Sequence, residues 1–158
     1  MKKVIRFFKQ IYRHFMKQSI WTRTSIIMAC ILIILIIVNK GQLNLFVNIL
    51  KYIKSNAIAL FDKDSLVSQS GGQTSRVDAL ENCFYKLKQK HDYKKLKSLS
   101  LFSDAFFPFT DSLEFIKKEK MKIDIFAPMG SQNDKKIEAY VKKNKLNFFK
   151  LSDRHFKH

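Results

Sequence analysis

The chain has 158 residues, a length that fits one domain with a hydrophobic core of its own. Its hydrophobic content of 46% excludes an intrinsically disordered tail. The formal net charge of +17 is unevenly placed, because ten Lys and Arg residues precede the first acidic residue, Asp62. A basic N-terminal arm of this kind is typical of nucleic-acid binding, of binding to an anionic membrane, or of control of membrane topology.

An uninterrupted apolar block, Ser25–Val38, follows the basic arm and favours a membrane over a nucleic acid. As a helix the block would span roughly 21 Å, whereas the hydrocarbon core of a bilayer is ~30 Å thick. Extension back to Trp21 lengthens the span to residues 21–38 and places the indole ring at the membrane interface. A signal peptide is the alternative, but the sequence after Val38 is a poor cleavage site, which favours an uncleaved anchor.

The basic residues ahead of the apolar block predict a cytosolic N-terminus and a translocated C-terminal domain. Residues 5–18 mix basic and aromatic side chains. They fit either an amphipathic helix on the membrane surface or a tail that only sets orientation. We therefore predict a first domain over residues 1–42, and a membrane-associated chain that crosses the bilayer once.

Residues 43–158 are the predicted second domain, and strands and helices alternate through its second half. This alternation indicates an α/β layer with parallel strand pairing. Apolar spacing predicts a helix over residues 43–54, a second from an N-cap at Ser75, and two more over 111–118 and 133–143. The predicted strands are 57–61, 66–69, 99–102, 123–127 and 147–151.

Two loops of this domain carry residues suited to ligand binding. Gly71 and Gly72 precede a predicted helix start at Ser75-Arg76, where free backbone N–H groups and an Arg could bind an anion. An ordinary tight turn with a surface Arg is the alternative. Residues 103–111 place three Phe and one Pro between two Asp. This loop could enclose a flat heterocycle, with Asp111 accepting hydrogen bonds from the ring N–H groups. The alternative is a hydrophobic loop that closes the core, with Asp111 capping its helix.

The remaining candidate residues give weaker indications of a functional site. Arg154 begins a basic C-terminal segment whose default interpretation is a solvated tail. Cys30 and Cys83 are too few and too isolated for a disulfide framework or a zinc site.

Taken together, five segments resemble one known family, in their order, their spacing and their distance from the chain end. It is the bifunctional purine enzyme that joins aminoimidazole carboxamide ribonucleotide formyltransferase to inosine monophosphate cyclohydrolase. The resemblance extends from about Leu45 to His158 and covers only the C-terminal part of the formyltransferase domain. The matching segments are Lys54–Ile58, Gly72–Asp78, Ser103–Phe109, Gly130-Ser131 ahead of Asp134, and Arg154–His158.

The resemblance implies a cytidine-deaminase-like three-layer α/β/α unit, here preceded by a hydrophobic N-terminal helix. It also implies transfer of a formyl group from 10-formyltetrahydrofolate, as co-substrate, to the 5-amino group of the ribonucleotide. No metal and no tightly bound cofactor are implied. The implied site places Asn56 beside the reacting groups, Arg76, Phe106 and Arg154 at the ribonucleotide, and Phe109 and Asp111 at the folate, with Phe106–Phe109 lining the slot between the two ligands.

Parts of the family pattern have no match here, namely the cyclohydrolase domain and the first half of the formyltransferase domain with its adjacent Lys-His pair. The resemblance therefore supports no cyclohydrolase activity, and it predicts a homo- or hetero-oligomeric partner that completes the site. The family is cytosolic, which conflicts with a translocated domain. An inverted topology, a peripheral segment or a gene fusion would each remove the conflict. Three hypotheses follow: a truncated enzyme that needs a partner, a non-catalytic anchored domain, or a membrane- or nucleic-acid-binding protein, with nucleic acid the least expected partner.

Overall fold

The computed structural model describes residues 9–12, 15–16, 20–90, 93–96, 98–152 and 154. The chain forms two compact units, Met1–Leu43 and Asn44–His158. Much of the predicted amphipathic segment 5–18 and the last four residues, 155–158, lie outside the described residues.

Helix α1 (Ile20–Leu50) has 31 residues, about 46 Å at 1.5 Å per residue. Its mean hydropathy reaches 2.3 over 18 residues, so by length and composition the helix is able to cross a membrane. A signal sequence near an N-terminus has the same properties. All side chains from Ile26 to Val38 are exposed. The predicted helix over 43–54 is not separate, because α1 continues to Leu50 and turns follow.

Five strands form one sheet in the order β2-β1-β3-β4-β5. Strand β1 pairs antiparallel with both β2 and β3, whereas β3, β4 and β5 pair in parallel. The predicted parallel pairing of the second half is therefore confirmed, and the first two strands form a hairpin. The strands are β1 (Ile58–Asp62), β2 (Ser65–Ser70), β3 (Ser98–Ser103), β4 (Lys122–Pro128) and β5 (Asn147–Leu151).

Three helices, α2 (Arg76–Lys88), α3 (Asp111–Lys118) and α4 (Asp134–Asn144), share a hydrophobic core with one face of the sheet. Strand side chains alternate between the two faces, so every second residue of β1, β3 and β4 enters this core. The core of strand and helix side chains includes Ile58, Leu60, Leu80, Phe84, Leu87, Leu99, Leu101, Leu113, Ile116, Ile123, Ile125 and Ile137.

Helix α2 starts at the predicted N-cap, Ser75. The Ser75 hydroxyl accepts the Asp78 N–H at 3.0 Å, and the Asp78 carboxylate accepts the Ser75 N–H at 3.1 Å. This reciprocal pair is a capping box, which satisfies two donors that a helix start otherwise leaves unpaired. Of the apolar side chains spaced along α2, Leu80, Phe84 and Leu87 are buried, whereas Val77 is only half-buried.

The opposite face of the sheet carries a row of phenylalanines, one from each of four neighbouring strands. Phe102 of β3 stacks on Phe126 of β4 with ring centroids 4.5 Å apart, and Phe126 stacks on Phe149 of β5 at 4.8 Å. At the other end, Phe46 stacks on Phe61 of β1 at 4.2 Å.

With one five-stranded sheet and the helices packed against it, the protein is mixed α/β, as predicted, while the cytidine-deaminase-like assignment stays a prediction.

The phenylalanine row offers a matched pair of stability tests. Phe102 is 1% exposed and touches three other rings, whereas Phe149 is 48% exposed at the end of the row. We expect Phe102→Ala to lower the free energy of unfolding by about 3–5 kcal/mol, because it leaves a cavity under the sheet. Phe149→Ala should cost about 1 kcal/mol or less. Urea unfolding followed by circular dichroism measures both, and equal losses would contradict this packing.

Cys83 provides a test of core burial. It lies fully buried in α2, and burial raises the pKa of its thiol to about 11. Since the thiolate is the reactive species, Cys83 should stay inert at pH 8 in the folded chain. We expect a Cys30→Ala variant, whose one remaining cysteine is Cys83, to react with a thiol reagent only after denaturation. Rapid labelling of this variant in its native state would show that α2 does not pack as described.

Candidate ligand-binding site

A cavity of about 860 Å³ opens at one edge of the sheet. Its walls come from the starts of α2 and α3, the loop after β3, one residue before β1 and one after β5. The six residues that the resemblance assigned to a site all line this one cavity. They are Asn56, Arg76, Phe106, Phe109, Asp111 and Arg154.

Arg76 is the most deeply buried charge in the cavity wall, with 6% of its surface exposed. Its Nη1 atom forms an ion pair with Asp104, which is fully buried, and donates to the Ala57 carbonyl at 3.3 Å. Burial lowers the pKa of the guanidinium, and the charge of Asp104 partly offsets that effect. The alternative interpretation, a surface Arg on a tight turn, is therefore wrong, because this side chain is buried against Ala57, just before β1, and Asp104, just after β3.

Asp104 is the site residue that sequence reasoning did not single out. Its carboxylate accepts the Ala57 N–H at 3.1 Å and the Ser55 hydroxyl proton at 2.5 Å, in addition to pairing with Arg76. The available signal was an acidic residue directly after a strand with the alternating pattern of a buried one, since a buried carboxylate needs a partner.

Asn56 lies just before β1, half-buried in the cavity wall. Its side-chain nitrogen, Nδ2, donates to the carbonyl oxygens of Gln73 at 3.0 Å and Thr74 at 3.2 Å. These two bonds hold the amide against the loop that leads into α2. Because they occupy both Nδ2 protons, the side-chain oxygen is the atom that can accept a hydrogen bond from a ligand amine.

The aromatic loop after β3 divides its side chains between the cavity and the core. Phe106 is half-buried and Phe109 is 61% exposed, and both line the cavity together with Pro108. Phe107 is only 2% exposed, packs in the core and meets Phe148 edge-on at 6.3 Å. The loop therefore closes the core through Phe107, and that it encloses a flat heterocycle stays a prediction. The prediction that Phe106–Phe109 all line one slot is wrong at Phe107.

Arg154 does not behave as a free basic tail. Its guanidinium lies over the Phe106 ring, 4.6 Å from the centroid, and Nη2 donates to the carbonyls of Gly130 at 2.9 Å and Met129 at 3.3 Å. Gly130 has φ +117°, and a Cβ atom there would overlap Nη2. A glycine is therefore required at this point for the guanidinium to approach the backbone.

Asp111 is exposed at the mouth of the cavity, as the first residue of α3. One carboxylate oxygen accepts the N–H of Ser112 at 2.6 Å. The sequence Asp111–Glu114 has the spacing of a capping box, but none forms, because Thr110 is the N-cap, makes no side-chain cap bond, and donates its hydroxyl to the Glu114 carboxylate at 2.9 Å. The carboxylate is thus placed to accept donors from a ligand, and its negative charge suits the positive end of the helix.

The cavity combines two guanidiniums, two helix starts and exposed aromatic rings around one exposed carboxylate. Such a lining suits a ligand with an anionic group and a flat ring system. Within the described part of the chain, no group of three or more His, Cys, Asp or Glu residues is arranged to hold a metal ion.

Comparison with known proteins supports the resemblance. Residues 39–86 match the family described as the AICARFT/IMPCHase bienzyme. The chain is 36% identical over 110 residues to the bifunctional purine biosynthesis protein PurH of Buchnera aphidicola subsp. Baizongia pistaciae, a match covering 70% of this chain and 20% of that protein. It is 40% identical over 115 residues to PurH of Bacteroides thetaiotaomicron, covering 72% and 22%. It is 36% identical over 108 residues to PurH of Rhodopirellula baltica, covering 68% and 20%. The resemblance is therefore confirmed, and the chain spans about a fifth of the length of these relatives.

The fit between Gly130 and Arg154 gives a testable coupling. In the unchanged chain, Arg154→Ala should lower the free energy of unfolding by about 0.5–1 kcal/mol through loss of the contact with Phe106. Gly130→Ala displaces the guanidinium, so in that background Arg154→Ala should cost almost nothing.

Gly72 provides the matched control, because it also has positive φ, +68°, but has open space where a Cβ would stand. Gly72→Ala imposes backbone strain alone, and Arg154→Ala should keep its full effect beside it. Urea unfolding of the single and double variants measures the coupling. An equal effect of Arg154→Ala in all three backgrounds would refute the role given to Gly130.

Proposed function

We propose that this chain acts in purine biosynthesis as part of a formyltransferase. In this proposal the cavity binds a purine-precursor ribonucleotide and 10-formyltetrahydrofolate, and the formyl group passes to the 5-amino group of the ribonucleotide. The observation that carries the proposal is the convergence of Asn56, Arg76, Phe106, Phe109, Asp111 and Arg154 on one cavity in a chain similar to PurH proteins.

The amide of Asn56 supports a role at the reacting groups. With its nitrogen held by two backbone carbonyls, its oxygen can accept a hydrogen bond from the N–H of the attacking amine and orient the nitrogen lone pair toward the formyl carbon. During the step a C–N bond forms at the formyl carbon, the C–N bond to the folate breaks, the amine loses one proton, and the released folate nitrogen takes up one proton.

Charge and shape support the assignment of the two ligands. Arg76 and Arg154 supply positive charge for the ribonucleotide, and Phe106 lies beneath the second guanidinium. Phe109 and Asp111 stand together at the exposed side, where a ring face and a carboxylate acceptor suit a pterin ring that carries N–H donors. A cytidine-deaminase-like arrangement of the layers belongs to the same proposal.

Proton transfer needs groups from outside the described cavity. Neither His nor Lys is among the described residues that line it, and the family's adjacent Lys-His pair belongs to the part of the pattern that this chain does not match. A positioned general acid or base contributes about 10²- to 10⁴-fold to the rate. We therefore propose that a second chain, identical or different, completes the active site.

A non-catalytic, membrane-anchored domain is the second candidate. The observation that favours it is the length of α1 and the exposure of its apolar residues between Ile26 and Val38. In this case the domain keeps the ligand cavity, α1 crosses the membrane once, and no formyl transfer takes place.

Ligand binding is the first test of the proposal. A ligand that binds only the folded state raises its stability, by about 2.7 kcal/mol at 100 times its dissociation constant. We expect the ribonucleotide and the formyl folate each to raise the melting temperature of the full-length chain. Arg154→Ala should reduce the shift caused by the ribonucleotide. Lys150→Ala is the matched control, because Lys150 pairs with Glu138 and lies outside the cavity, and it should leave the shift unchanged.

Activity separates the two candidates. Formyl transfer measured with and without candidate partner chains should appear only when a partner is present. Binding without transfer in every combination would favour the anchored, non-catalytic domain. If neither ligand changes the melting temperature, the proposal is rejected.

A further inference from the structure

We propose that Asp104 is a positioning residue that holds both Arg76 and the segment carrying Asn56 in the cavity wall. Asp104 is fully buried and does not itself line the cavity, so it acts through its neighbours. Of the experiments described below, only the measurement of ribonucleotide binding rests on the proposed function.

The first step of the argument is the set of bonds around Asn56. The two residues that flank it, Ser55 and Ala57, both donate to the Asp104 carboxylate, the first through its hydroxyl and the second through its backbone N–H. The backbone N–H of Asp104 also donates to the Ala57 carbonyl at 3.3 Å. The segment is thus fixed on both sides of Asn56 by a single side chain and its backbone.

The second step concerns the orientation of Arg76. Its Nη1 atom is directed at the Asp104 carboxylate and at the Ala57 carbonyl. The Nε atom is buried and has no hydrogen-bond partner among the described residues. The carboxylate therefore fixes the orientation of the planar guanidinium, with Nη1 bonded inside the protein. The other N–H groups of Arg76 are then the ones that a ligand can use.

The third step is the geometry of the chain. Asp104 directly follows β3, whereas Asn56 precedes β1 and Arg76 begins α2. These three points are distant in sequence, and the Asp104 carboxylate bonds to Arg76 and to both residues that flank Asn56. A change at Asp104 should thus disturb two ligand-facing groups at once, whereas an ordinary core substitution would lower stability without moving those two groups selectively.

The test uses the full-length chain in detergent and follows NMR signals of the Asn56 side-chain amide and the Arg76 Nε–H. Asp104→Ala should shift both signals. Asp104→Asn keeps one oxygen that can accept the Ala57 N–H but carries no charge, so it should restore the Asn56 signal and not the Arg76 signal. Asp124→Asn is the control, since Asp124 lies on β4 and accepts only an exposed bond from Asn147 at 2.8 Å.

A second variant covers the case in which Asp104→Ala does not fold. The double change Arg76→Met with Asp104→Ala removes both charges, and such a replacement of a buried ion pair is often tolerated. The Asn56 signal should still shift in this variant, because its flanking residues have lost their acceptor. If the Asn56 signal keeps its wild-type position there, or if Asp104→Ala leaves both signals unchanged, the inference is overturned.

Binding gives the independent readout. Where the wild-type chain binds the ribonucleotide, Asp104→Asn should weaken that binding by about tenfold or more, since a hydrogen bond to a charged group is worth at least that factor. Wild-type affinity in Asp104→Asn would overturn the inference. If the wild-type chain binds no ribonucleotide, the proposed function fails, and the NMR signals alone decide the role of Asp104.

Discussion

The buried ion pair between Arg76 and Asp104 is the interaction on which the cavity depends. It joins the first residue of α2 to the residue after β3, and the same carboxylate fixes the backbone ahead of β1. A single charge left at either position would be strongly unfavourable, because both residues are almost completely removed from water. The three chain segments that form the inner wall are therefore stable only in combination, and each positions the others.

The two faces of the sheet have different tasks. One face packs against α2, α3 and α4 and holds the aliphatic core, whereas the other carries the row of phenylalanines from Phe61 to Phe149. The ligand cavity lies on neither face but at the edge where the loops leave the strands. In this arrangement, the loop after β3 places Phe107 in the core and Phe106 in the cavity wall. A rigid sheet thus fixes the position of flexible aromatic side chains.

Regular structure was predictable where apolar spacing was strong. The capping box at Ser75 and all five strands follow from local patterns, and the structure places them within a few residues of the prediction. Local patterns did not predict that Arg76 turns inward, because that depends on a partner 28 residues away in sequence. The separate helix predicted over 43–54 has a related cause, since Gly41 weakens a helix locally and yet α1 continues through it to Leu50. The family motifs identified the cavity-lining residues but not Asp104, whose importance lies in contacts rather than in ligand chemistry.

Binding and proton transfer are separable in this cavity. The described lining offers guanidiniums, aromatic rings, an amide and one exposed carboxylate, and it includes neither His nor Lys. Asp104 is fully buried, pairs with Arg76 and does not itself line the cavity. In the proposed function, this lining binds the ligands and a second chain supplies the chemical step. The ion pair then serves binding, because it holds Arg76 and the segment before β1 in the cavity wall.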